Sequence, residues 1–109
     1  MTYTIHYYNF SVQAELFALP ETLQGKYVRL AEHMEIFGAN LGAPHTKAFG
    51  DGLFELRLKG AEGIARVFYC TLVGQKIVML HSFIKKTQKT PHSELAIALQ
   101  RMKEVKQNA

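Results

Sequence analysis

The residues of this 109-residue chain with the most chemical reach are arginines and lysines set among strand-forming apolar residues. In Phe54-Glu55-Leu56-Arg57-Leu58-Lys59, apolar and polar side chains alternate. If Phe54, Leu56 and Leu58 face a core, Arg57 and Lys59 project from the opposite, open face of the sheet. Arg66, in Arg66-Val67-Phe68-Tyr69, joins them if the neighbouring strand pairs in a suitable register. A guanidinium is a permanent cation whose planar donor fork matches phosphate oxygens. Two of them on one open face suit binding of an RNA backbone, or stabilisation of the charge that builds on a phosphate in a transition state. The plainer reading is exposed strand residues paired with Glu55 or Glu62. A second basic stretch, Phe83-Ile84-Lys85-Lys86-Thr87-Gln88-Lys89-Thr90-Pro91, lies between a strand and a helix start. Helix starts attract anions through free amides and the aligned dipole, and ammonium groups can track phosphates. Its plainer reading is a solvated turn.

Histidine is the usual carrier of protons near neutral pH. His6 reads as a strand residue and His33 as the polar flank of a helix. His45, His81 and His92 fall in segments that could converge on the open face, although for each alone a structural or surface role is the plainer reading. No histidine pair has zinc-site spacing, no paired carboxylates have the look of a glycosidase, and no phosphate-cradling glycine motif is present. No metal and no cofactor is expected.

The composition fits a single domain spanning residues 1–109, with 48% apolar and 20% charged residues and no disordered signature. The net charge is +4, unevenly placed: three basic and five acidic residues lie before Phe54, ten basic and four acidic from Phe54 onward. That asymmetry points to an anionic partner for the C-terminal half. A single cysteine, Cys70, lies in an apolar stretch and reads as a buried, inert thiol. No apolar run approaches the ~20 residues needed to span a bilayer. With no signal-peptide pattern either, a soluble cytoplasmic protein is expected.

The elements that must hold these residues follow from periodicity. Tyr3, Ile5 and Tyr7 mark a first strand. Ser11 opens a short helix through Val12, Leu16 and Leu19, which Pro20 ends. Pro20 can begin a second helix, whose apolar stripe is Leu23, Tyr27, Leu30, Met34 and Phe37 and whose stop is Gly38. Ala39 to Gly52 reads as a loop. Three strands follow, around Phe54–Lys59, Ile64–Val73 and Lys76–Phe83, joined by short turns into an antiparallel meander. Thr90-Pro91 caps a last helix with Leu95, Ala98, Leu99 and Met102 on its apolar face. The result is an α+β domain, β-α-α-β-β-β-α, with a small, largely antiparallel sheet and helices packed on one face.

Gly52-Leu53-Phe54-Glu55-Leu56-Arg57, Arg66-Val67-Phe68-Tyr69, and the run from Leu80 through Lys85-Lys86-Thr87-Gln88-Lys89-Thr90-Pro91 resemble the phage-derived, HigB-like branch of the RelE/ParE toxin superfamily. Leu41-Gly42-Ala43-Pro44-His45-Thr46-Lys47 resembles the loop before its "ELR" strand. The resemblance covers about Leu16 to the C-terminus. It implies a RelE-like fold and the toxin of a type II toxin–antitoxin pair, held in check by a small helix-turn-helix antitoxin. For RelE and HigB toxins it implies metal-free cleavage of mRNA on the ribosome, in which a 2′-hydroxyl attacks the adjacent phosphodiester. By family position, Arg57 and Arg66 are the phosphate-stabilising pair and Lys86 lies in the basic segment after the last strand. Lys47, Lys59, Lys85 and Lys89 would hold messenger or ribosomal backbone. The tyrosine that prototype RelE toxins carry near the C-terminus has no counterpart, because no tyrosine follows Tyr69. His81 and His92 are then the proton-transfer candidates, with Tyr69 behind them. The ParE branch, which shares the fold, inhibits DNA gyrase without cutting RNA.

Overall fold

The alternating segments come together in one sheet. The structure is a computed structural model that describes residues 2–85 and 91–108. Its described elements run β1 (Thr4–Tyr7), α1 (Phe10–Phe17), α2 (Glu21–Phe37), β2 (Thr46–Gly50), β3 (Leu53–Gly60), β4 (Gly63–Leu72), β5 (Lys76–Lys85) and α3 (His92–Gln107). The strands lie in the order β1-β5-β4-β3-β2. All neighbouring pairs are antiparallel except β1 with β5. This is the expected α+β architecture with one strand more. β2 falls within the glycine-rich stretch expected to be loop throughout. It escapes a periodicity reading because it is a short edge strand with three of its five residues exposed, so it shows little alternation.

The helix starts also differ from expectation. Asn9, not Ser11, caps α1, its side-chain oxygen accepting the amide of Val12 at 2.8 Å. Pro20 and Pro91 each occupy the cap position itself, one residue before the helix, rather than its first turn.

Each face of the sheet has its own apolar cluster. Leu56, Leu58, Ala65, Val67, Tyr69, Ile77 and Met79 meet Val12 and Leu16 of α1 and Leu23, Tyr27, Leu30 and Met34 of α2. On the other face Leu53, Phe68, Cys70, Val78 and Leu80 meet Ala98 and Met102 of α3. The helices therefore cover both faces, which corrects the one-face packing expected. The reason lies in β4, where Arg66 to Cys70 are all buried, so both of its faces need a cover. Phe37 (71% exposed) and Leu99 (45% exposed) fall outside the apolar stripes that periodicity assigned them. No described helix is long and apolar enough to cross a membrane.

Candidate active site

Alongside the cluster under α3, the same face of the sheet carries charged residues set in rows with apolar ones. Strand register fixes these rows, because residues directly opposite one another point to the same side. Lys47 of β2 lies opposite Glu55 of β3, which lies opposite Phe68 of β4 and then His81 of β5. In the next row Arg57 lies opposite Arg66, and Arg66 opposite Phe83. In the third, Lys59 lies opposite Ile64 and Ile64 opposite Lys85. The register of β5 depends on a bulge. Tyr69 pairs with Met79 and Phe68 with His81, which leaves Leu80 without a partner. One extra residue changes which side chains face which side. Because of it, His81, Phe83 and Lys85 share the face of Arg57 and Arg66.

Two arginines directly opposite each other repel, and Glu55 resolves the conflict. Its carboxylate has no solvent exposure, accepts a hydrogen bond from Arg66 Nη1, and lies 3.7 Å from Arg57 Nε. Arg66 is itself buried, 8% exposed, while the Arg57 side chain is 39% exposed. Glu62, the other partner considered for the arginines, instead binds Thr22 at the start of α2. The Nε–H groups of both arginines are buried and meet no hydrogen-bond acceptor among the described residues. Lys85, the last residue of β5, has its ammonium held below the usual lysine range by burial and by the nearby Arg66 guanidinium, against the opposing pull of the Glu55 carboxylate and with Arg57 and Lys47 adding to the lowering. Lys47 lies with its Nζ 5.2 Å from the centre of the Phe49 ring.

The guanidiniums also border a cleft of about 310 Å³ at the sheet edge, lined by Lys26, Pro44, His45, Arg57, Lys59, Ile64 and Arg66. Lys26 comes from α2, in the acidic half of the sequence, and no local pattern links it to Arg57. His45 belongs to a tightly fastened loop. Its amide donates to the Gly42 carbonyl at 3.0 Å, and its own carbonyl accepts the amide of Arg57 at 2.8 Å. The buried Thr46 hydroxyl accepts the Gly42 amide at 2.9 Å and donates to Asn40 Oδ1 at 3.3 Å. Gly42 makes this turn at φ +82°, a region that favours glycine.

His81 Nε2 is paired with the Glu94 carboxylate in the first turn of α3, and its ring stacks on Phe83 with centroids 6.1 Å apart. His92 is exposed at the start of α3. Lys86 and Lys89, with Thr87, Gln88 and Thr90, lie outside the described residues. The Tyr69 hydroxyl is buried on the opposite face and donates to the Ala39 carbonyl at 2.6 Å. Burial holds its pKa well above the usual tyrosine range. Arg57, Lys59, Arg66 and Lys85 are thus brought together, with Lys47 at their margin. Glu55, considered only as a surface partner, is the buried centre of the set.

The element order, the mixed five-stranded sheet and the helices on both faces define the RelE fold. The chain superposes on the free state of a double arginine-to-alanine mutant of the Escherichia coli toxin RelE with a TM-score of 0.62, over 94% of this chain and 99% of that one, at 11% sequence identity. Residues 14–103 match the model of the phage-derived protein Gp49-like family (DUF891), and the chain belongs to that family. No curated protein sequence matches it.

Proposed function

We propose that this chain is the toxin of a type II toxin–antitoxin pair, of the HigB-like branch, and acts as a ribosome-dependent endoribonuclease on mRNA. The observation that carries the reading is the pairing of Arg57 with Arg66 across β3 and β4, locked by the buried Glu55. A phosphodiester attacked by the neighbouring 2′-hydroxyl gains negative charge on its non-bridging oxygens. Fixed guanidinium donors beside a low-dielectric interior stabilise that charge without reorganising. Lys59, Lys85 and Lys47 surround the pair and extend the positive surface along the backbone of a bound strand. The Gp49-like membership and the RelE fold support the toxin reading, and they support an antitoxin, a small helix-turn-helix protein, as the natural cover of this face.

The test is controlled expression of the wild type and of Arg57→Ala in a bacterial host, followed by mapping of mRNA 5′ ends. Arg57 is the better target because it is partly exposed, whereas truncating Arg66 strands a buried carboxylate and damages the fold. Cleavage within translated messages, lost in the variant, is expected. Growth arrest with intact messages and induced DNA damage would move the reading to a ParE-like inhibitor of DNA gyrase.

A further inference from the structure

The arginines supply charge, but the reaction also needs a group to take a proton from the attacking hydroxyl. We propose that His45 is that group. The inference rests on the endoribonuclease reading and deepens it.

Of the five histidines, His45 is the one that lines the cleft beside Arg57 and Arg66. His6 bonds Thr4 on β1, at the far edge of the sheet, and His33 packs edge-on to Phe37 on α2. The Nε2 of His81 is engaged by Glu94. Glu55, though central, is fully buried and already accepts from a guanidinium. The Tyr69 hydroxyl is buried on the other side of the sheet. His45 is half-buried, and its backbone is held at the β3 edge by the Arg57 amide and the Gly42 turn. Its main chain is therefore fixed beside that of Arg57. The charged groups facing it are Lys26 from α2, Arg57 and Lys59 from β3, and Arg66 from β4, all cations. Together they draw a phosphate, and with it the 2′-hydroxyl, toward the imidazole.

In the step itself, the neutral imidazole takes the 2′-hydroxyl proton as the 2′-oxygen forms its bond to phosphorus. The bond from phosphorus to the 5′-oxygen breaks, and its electron pair leaves with that oxygen, which takes a proton from water. The imidazolium then returns its proton to the hydroxide so formed. The products are a 2′,3′-cyclic phosphate and a free 5′-hydroxyl.

The experiment is single-turnover cleavage of a short mRNA on programmed ribosomes between pH 5.5 and 8.5, by the wild type and by His45→Gln. General acid–base groups typically contribute about 10²–10⁴-fold in rate. His45→Gln should lower the maximal rate by about 10²-fold or more, remove the rise of rate with pH, and leave the half-saturating concentration within about twofold. Its thermal midpoint, matched to that of the wild type, shows that the loop is intact. His45→Asn serves as a second variant should glutamine disturb the loop. A variant that keeps the wild-type pH profile, or loses only affinity, overturns the proposal while leaving the nuclease reading in place. So does recovery of the variant on a substrate whose 5′-oxygen is replaced by sulfur, since a sulfur leaving group needs no proton and recovery would make His45 an acid. Uncut message with the wild type overturns the nuclease reading and this proposal together.

Discussion

A carboxylate removed from water costs several kcal/mol unless partners with good geometry compensate. Glu55 has such partners in Arg66 and Arg57. Glu55→Ala should therefore lower stability by about 3–5 kcal/mol, because it leaves the Arg66 cation buried and unmatched. Urea denaturation measures this, and a loss below about 1 kcal/mol would show that the guanidinium finds water instead. Lys85 works in the opposite sense. Burial and the neighbouring cations hold its pKa below the ordinary 10.5, so the folded chain binds fewer protons there than the unfolded chain. Stability contributed by this side chain therefore rises with pH between the lowered folded value and 10.5. Lys85→Met should melt no lower than the wild type at neutral pH, with any advantage shrinking as pH approaches 10.5, while cleavage falls. A lower melting point at pH 7 would mean that the lysine is held there for stability. Alternation alone put Arg57 and Lys59 on one face, and it also put Glu55 there. It could not show that Glu55 is buried, because polar residues on the same strand face have the same local pattern whether covered or open.

Among the elements, β4 and β5 carry most of the positioning. β4 delivers Arg66 to one face and Tyr69, three residues further on, to the other. The hydroxyl of Tyr69 ties β4 to Ala39, at the start of the loop that holds His45. Tyr69→Phe leaves that buried carbonyl unsatisfied and should cost about 1–3 kcal/mol. Cleavage by the still-folded variant should be unchanged at a temperature well below its melting point. A catalytic defect in a folded Tyr69→Phe would restore the tyrosine to the chemistry. The three-strand meander was legible from its alternation and short turns. The bulge at Leu80 was not, since a strict two-residue period carried through β5 puts His81 and Phe83 on the wrong side of the sheet. Nor was β2, which shows its identity only by pairing with β3. The loop 40–46 was recognisable as a loop, but its fastening through Asn40, Gly42 and Thr46 is a matter of side-chain contacts that composition does not reveal.

Over the whole molecule, six of the ten basic residues from Phe54 onward fall into two groups. Arg57, Lys59, Arg66 and Lys85 gather at the proposed site. Arg101 and Lys106 fasten α3, through the Leu80 carbonyl at 2.7 Å and the Asp51 carbonyl at 2.5 Å. Charge asymmetry therefore pointed to the half that holds most of the proposed site but overcounted it, and it missed Lys26, which reaches the cleft from the acidic half. The fold itself presents the arginine pair on a face only part of which α3 covers, and that arrangement is the basis of the proposed cleavage. Its most direct test is purified protein added to ribosomes programmed with a defined mRNA, with the termini of any fragments analysed. Wild-type cleavage leaving a 2′,3′-cyclic phosphate is expected, reduced by about 10²–10³-fold in Arg57→Ala, the usual loss for one donor to transition-state charge. Equal cleavage by a folded Arg57→Ala would contradict it, as would intact message with a wild-type chain that arrests growth.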